Sequence, residues 1–485
     1  ETQTVAALEE MAAALIESGE YQFVEVNDYM YPTLTPNDPR FGDLWGLSNL
    51  ATGVRAEDGW DMNQGEWSVV AVLDTGYRPH PDLIGSLDIA SGYDFISDAV
   101  RARDGNGRDP DALDRGDWVA ADQCGWHDAA DSSWHGTHVA GTVAATGNNS
   151  SDVVGAAYRT RVVPIRVLGA CGGTVADIAD AIRWAAGETS PDAGANPNPA
   201  DIINLSLGSM RPRSCGPTYQ AAMDVARDTY GAVVIAAAGN RSANAAYYRP
   251  GNCEGVFTVS AHDQNGNRWS SSNWGPTVDV SAPGVDVLST SNEGTTVPGN
   301  DTLAPDSGTS MAAPHVSAVA AQMLTRSPYL SPTGGMMRLK HGARPFLPGS
   351  NCDTTDCGDG MLDAPNSIAL ASSPSIEYRA HVESDGWLEF EMNGDTAGTT
   401  GQSKRMEALQ MFMYNSQMTI CYAATSPTSV GSHRCATARS PAPPANIAKW
   451  RRSASGSTTA RLAAPSSTVP MSPTSAGYPG SPKVT

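Results

Sequence analysis

Apolar side chains recur at helical spacing over residues 4–18 (TVAALEEMAAALIES), Gly19 interrupts them, and Tyr21 to Val26 then alternate apolar with polar. That pattern predicts a helix followed by a strand. From about Asn37 to Ala371, short β-rich runs (Ser68 to Leu73, Val162 to Leu168, Ile202 to Leu207, Ala232 to Ala237) alternate with helical stretches. The alternation predicts an α/β domain with a largely parallel sheet. An insert rich in Asp and Gly, residues 84–131, separates the first strand from the next helix. A connection that long needs a function or a bound ion to order it. After Ser372 the composition turns to Ser, Thr, Pro and Gly with small β-rich pieces, which marks a domain boundary.

Charge and cysteine content narrow the function classes. The 485 residues carry a net charge of -21, so nucleic acid and anionic membrane surfaces repel the protein, and solubility, cation binding and a monomeric state are expected. No apolar run reaches the length that crosses a bilayer. Eight cysteines are spread along the chain without a Cys-x-x-Cys pair, a usage that favours disulfides in an oxidising compartment over metal chelation. Position 1 is Glu, with no basic start and no apolar core behind it, as in a secreted protein whose leader has been removed.

Three motifs carry the chemistry: Ala71-Val-Leu-Asp74-Thr-Gly, His135-Gly-Thr-His-Val-Ala-Gly-Thr, and Gly308-Thr-Ser310-Met-Ala-Ala-Pro-His-Val. A serine hydroxyl is a poor nucleophile at neutral pH, so Ser310 requires His135 to take its proton and later return it to the leaving amine. Asp74, closing a strand, would fix the imidazole tautomer, while His135 and Ser310 sit where turns enter helices. Gly308 would allow close approach of substrate.

Together the motifs resemble the signatures of the subtilisin-like serine proteases, and the order Asp, His, Ser is that of subtilisin. The lipase and esterase order, with its nucleophile elbow, is missing from the chain. The resemblance implies a doubly wound, mostly parallel α/β sheet with a small C-terminal repeat region, and a secreted, extracellular endopeptidase that works through an acyl-enzyme on Ser310. It makes Asn240, in Ala-Ala-Ala-Gly-Asn, the side-chain donor to the oxyanion, beside the Ser310 backbone amide. Ser206-Leu207-Gly208 and the segment Leu168 to Thr174, with Gly172, resemble the two edges between which an extended peptide adds as a strand. Ala237, Ala238 and Gly239 present only small groups to the primary pocket, with no acidic residue to attract Lys or Arg, so broad cleavage after large apolar residues is expected. Departures from the family pattern are few: Tyr77 follows the Asp motif where an aliphatic residue is common, and the Asp74 to His135 spacing is long. An inactive protease-like scaffold that binds a surface is the alternative, and the intact triad disfavours it.

Within the insert, Asp104, Asn106, Asp109 and Asp111 alternate with turn-forming residues as in calcium loops, and a structural calcium ion is expected there, with none needed for catalysis. Arg115 stands where an EF-hand has its twelfth-position Glu. By resemblance to secreted Gram-negative members of the family, Cys124 pairs with Cys171, Cys215 with Cys253, and Cys352 with Cys357. Residues 1–34 resemble the tail of an inhibitory propeptide that aids folding and occupies the cleft, which places the start of the mature enzyme near Leu34 to Asn37 and the peptidase domain at 35–371.

Residues 377–422 resemble a clostridial-type hydrophobic repeat built around Trp387 (AHVESDGW, then NGDTAGTTGQSKRMEALQM). Beyond it, residues 423–455 are a jumble of Ala, Pro, Arg and Ser. When codons are read one base early, Ala423 to Val430 give SHVADVGW, and Ala436 to Ser455 give NGEVAGTTGQHREMEALRV. Two bases of every shifted codon are fixed, and the spacing from tryptophan to asparagine equals that of the first repeat. The segment 423–485 is therefore expected to be an out-of-frame tail without regular structure, in place of a second tryptophan repeat.

Overall fold

The computed structural model describes residues 35–125, 128–373, 375–382, 384–388, 391–392, 397, 406–414, 419–426 and 429–437. The chain divides into units 1–35 and 36–485. The helix and strand expected at 4–26, and with them the propeptide segment 1–34, lie outside the described residues, as does 438–485.

Seven parallel strands form the central sheet in the order β2-β3-β1-β4-β5-β6-β7. They are β1 (Val69–Asp74), β2 (Tyr93–Asp94), β3 (Arg161–Arg166), β4 (Ile202–Leu205), β5 (Val233–Ala237), β6 (Phe257–His262) and β7 (Val280–Pro283). The strand residues are almost all buried, because a parallel sheet is covered on both faces. Alternation then sorts side chains between two cores. Val70 and Val72 join Val139, Val143, Val316 and Val319, whereas Val69, Ala71 and Leu73 join Ile178, Ile182 and Trp184. The first core thus takes α2 (His135–Ala144) and α5 (Thr309–Arg326), and the second takes α3 (Val175–Ala186). Further helices are α1 (Ala56–Met62), α4 (Pro217–Asp224), α6 (Pro332–Gly342) and α7 (Ala364–Ser372), and a hairpin pairs β8 (Val287–Asn292) with β9 (Asp301–Asp306).

Strand order reverses on either side of β1, where β3 lies on one flank and β4 on the other. The carboxyl ends of β1 and β4 therefore border the crevice where doubly wound sheets place their ligands.

The insert 84–131 is ordered by arginines. Arg166, buried at the end of β3, pairs with Asp94 at 2.6 Å and Asp104 at 3.0 Å. Arg108 reaches Asp177 and Asp180 at 2.8 Å and Asp192 at 3.0 Å. These contacts correct the expected calcium loop. The Asp104 carboxylate is turned to Arg166, Asn106 donates to Asp109 at 2.6 Å, and Asp111 pairs with Arg115. Among the described residues no three His, Cys, Asp or Glu side chains gather as a metal would require. The four residues do not fit a calcium cage, because cations of the protein already neutralise two of the three carboxylates.

All three disulfides expected from the family resemblance are present, Cys124–Cys171, Cys215–Cys253 and Cys352–Cys357. No described helix is long and apolar enough to cross a membrane.

In the C-terminal region β10 (Ser375–Val382) pairs antiparallel with β11 (Gly386–Trp387), β12 (Glu391–Met392) and β13 (Met406–Tyr414). Its first residues are built into the α/β domain: Arg338 of α6 is fully buried and bonds Glu377, Ser375 and the Leu370 and Gly334 carbonyls. Trp387 stays partly exposed, with His381 edge-on at 5.2 Å and the Arg379 guanidinium 4.9 Å over the ring. Part of the segment from 423 expected to lack regular structure lies in paired strands. β14 (Thr419–Ser426) and β15 (Ser429–Thr437) form an antiparallel hairpin, their Thr, Ile, Tyr and Val content suiting strand geometry.

Candidate active site

Asp74 is the last residue of β1 and is fully buried; its carboxylate accepts from the Thr75 backbone N–H at 2.7 Å and from His135 Nδ1 at 2.8 Å. His135 opens α2. The helix can press against β1 only because residue 136 is glycine: a Cβ there would lie 2.2 Å from the Gly76 carbonyl oxygen. Thr75 adds a second tie, its hydroxyl accepting from the Gly136 N–H at 2.9 Å and donating to Asp114 at 2.6 Å.

The two histidines of this motif are driven apart. Burial works to lower the His135 pKa, but the Asp74 carboxylate outweighs it and lifts the group to about 9. Burial lowers His138 to about 4, and its Nε2 is spent on the carbonyls of Val287 at 2.9 Å and Ala304 at 3.1 Å. Only His135 is placed to exchange a proton with a ligand.

Ser310 lies in the first turn of α5, where backbone N–H groups lack intrahelical acceptors. Four residues on, Pro314 has no N–H to give the Ser310 carbonyl. That carbonyl is taken instead by the Ser206 hydroxyl at 2.7 Å, just beyond β4, and the Ser206 hydroxyl accepts from Asn204 at 2.9 Å. In return the Ser310 hydroxyl donates to the Ser206 carbonyl at 3.2 Å. No hydrogen bond joins Ser310 to His135 among the described residues; in sites without a ligand such bonds are often long and tighten only in the complex.

Asn240 follows β5. Its side-chain oxygen accepts from the Thr309 N–H at 3.0 Å and the Thr309 hydroxyl at 2.7 Å, which leaves its NH2 group as the free donor beside Ser310. A cavity of about 250 Å3 adjoins them, lined among others by Leu207, Gly208, Ala238, Gly239, Asn240 and Ser310. Of the expected substrate residues, Gly172 is not in this lining, and the Ser206 side chain is buried and engaged with Ser310. Two further lining residues, Arg241 and Arg249, carry no signal in the motifs.

Comparison with known proteins agrees with this geometry. Residues 65–364 match the subtilase family model, and residues 381–413 match that of the clostridial hydrophobic W repeat. An extracellular protease of Xanthomonas campestris pv. campestris is 48% identical over 352 residues, covering 72% of this chain and 59% of that protein. An extracellular basic protease of Dichelobacter nodosus is 41% identical over 310 residues, covering 63% of this chain and 50% of that one. The chain thus spans between half and three fifths of the length of these relatives. A solved structure of proteases from Pseudoalteromonas arctica superposes with a TM-score of 0.67 at 48% identity, covering 70% of this chain and all of that one. With a family match that takes in the Asp74, His135 and Ser310 motifs and most of the chain, the protein belongs to the subtilase family.

Proposed function

We propose that the chain is a secreted serine endopeptidase acting on extracellular proteins with broad specificity and a preference for large apolar residues before the scissile bond. The observation that carries the reading is the Asp74–His135 pair at the switch point of the sheet, opposite a helix start that offers Ser310 and the Asn240 amide.

In this reading the Ser310 hydroxyl leaves the Ser206 carbonyl, gives its proton to His135 Nε2 and attacks the substrate carbonyl carbon. Negative charge on that carbonyl oxygen is met by the Asn240 NH2 and the Ser310 backbone N–H. The protonated His135, held by Asp74, then returns the proton to the amine as the peptide bond breaks and the acyl-enzyme forms. Water, deprotonated by His135, releases the acid and restores Ser310. The apolar preference rests on Leu207, Met210, Ala237 and Ala238 in the pocket lining. Calcium has no step in this chemistry; a dependence on it would act through loop stability and not through residues 104–111.

The domain reading is part of the proposal: a propeptide remnant over 1–34 that restrains the enzyme as a zymogen, a peptidase domain over 35–371, and a tryptophan repeat over 377–422. The coding frame is proposed to shift near Tyr422, hiding a second repeat. Resequencing the gene tests this, and an uninterrupted frame through 485 sinks it.

The experiment for the enzyme is casein hydrolysis by the wild type and Ser310→Ala, with the intact mass of each. Activity lost in Ser310→Ala, together with a retained N-terminal segment, supports triad and self-maturation. Undiminished activity in the variant overturns the proposal.

A further inference from the structure

We propose that the pocket beside Ser310 also selects acidic side chains, glutamate or aspartate, at the residue before the scissile bond and excludes lysine and arginine. The inference rests on the peptidase reading above and adds a charged specificity to it.

The protein carries a net charge of -21, yet residues 202–223 and 229–253, the segments on either side of the pocket, contain no Asp or Glu. They hold Arg211, Arg213, Arg241 and Arg249. Two of these, Arg241 and Arg249, line the cavity of about 250 Å3 that also contains Ser310, and no acidic residue lines it.

Neither lining arginine has a carboxylate partner among the described residues. The Arg249 guanidinium lies 5.5 Å over the Tyr219 ring, and Arg241 is exposed, with its backbone N–H on Asn273. Arg108 and Arg166, by contrast, are paired with carboxylates. The two segments are fixed to each other by the Cys215–Cys253 disulfide, by the Ser209 N–H on the Arg249 carbonyl at 2.9 Å, and by the Arg213 N–H on the Tyr247 carbonyl at 2.7 Å. The cations are therefore presented by a braced frame.

A substrate carboxylate entering beside them gains charge-assisted hydrogen bonds that the free protein leaves unmade. Its methylenes lie against Leu207, Met210 and Ala238. A lysine in the same place meets like charge inside a pocket that excludes part of the water.

The test uses the full chain, with active sites counted by a covalent serine reagent, and peptides that differ only in Glu, Gln, Leu or Lys before the scissile bond. We expect kcat/KM for Glu to exceed Gln by about tenfold and Lys by about a hundredfold, charge-assisted contacts being roughly twice as strong as neutral ones. The Glu:Gln ratio is expected to shrink between 0.1 M and 1 M salt as screening shortens to about 3 Å. It is also expected to fall severalfold in Arg249→Gln and Arg241→Gln. Arg241 is exposed, so its variant keeps the test open if Arg249→Gln does not fold. Cleavage with Glu no better than Gln, or a ratio unmoved in the folded variants, overturns this inference alone. Failure to cleave any of the peptides or casein overturns the peptidase reading, and this one with it.

Discussion

Replacing Ser206 by Ala isolates the contact that Pro314 forces on the nucleophile's backbone. The hydroxyl it removes donates to the Ser310 carbonyl at 2.7 Å and accepts from Asn204 at 2.9 Å, and Ser206 is 2% exposed. Two polar groups are left unpaired, at about 1–3 kcal/mol each, so the cost is about 2–6 kcal/mol. Over the 300 residues of the family match (65–364), an unfolding entropy of about 2.1 cal/mol/K per residue turns this into a fall in Tm of about 3–10 °C. The assay is a thermal scan at one fixed rate in a Ser310→Ala background, which suppresses self-digestion and keeps the carbonyl in question. The decisive variant is Ser206→Ala with Pro314→Ala, because alanine restores an N–H four residues beyond Ser310. The double variant should be more stable than additivity allows by about 1 kcal/mol or more. A Ser206→Ala cost below about 0.5 kcal/mol, or strict additivity with Pro314→Ala, refutes the reasoning.

Other consequences are as direct. The His135 pKa is raised to about 9, above the usual 6.5, and in the proposed reaction His135 must start neutral, so kcat/KM is expected to fall as pH drops through the raised value. An acid limb at or below 6.5 in the pH–rate profile contradicts this. By linkage the protonated His135 stabilises the fold below pH 6.5, and that contribution is lost as pH rises through about 9. Asn240→Ala should lower kcat about 10² to 10³-fold with KM little changed, read from initial rates on one peptide. Glu377→Ala strands the buried Arg338 charge and should cost about 3–5 kcal/mol, read by denaturant unfolding, whereas Glu377→Gln should cost less. Replacing both cysteines of Cys215–Cys253, 38 residues apart, should cost about 4 kcal/mol against about 2 for Cys352–Cys357, 5 apart, compared by thermal scans.

The strands and the Asp74–His135 pair were legible because each depends on local pattern. β1 reads as a run of aliphatic residues ending in Asp74, and the motifs around His135 and Ser310 place both at helix starts. What stayed hidden depends on meetings between distant residues. The acidic run at 104–111 looked like a cation site because sequence displays the carboxylates together but not Arg166, brought to them from β3 by the sheet. Arg241 and Arg249 both follow β5 in the chain, and they come to share a cavity with Leu207 and Met210, which follow β4, only when β4 and β5 pair. Ser206 was read as a backbone rail for substrate, and its side chain could be assigned to Ser310 only from the fold.

The buried Arg338–Glu377 contact separates two kinds of boundary. Composition divides the chain at 372, but the mechanical edge of the peptidase lies beyond β10, since Ser375 and Glu377 complete the surroundings of an arginine inside α6. A truncation designed by composition would remove the counter-ion and leave the cation. By the same route, tension applied to the repeat region enters α6 through a charged bond. If Trp387 and its neighbours grip a polymer or surface, the anchor and the cutting machine are joined by a rigid bracket and not by a slack tether.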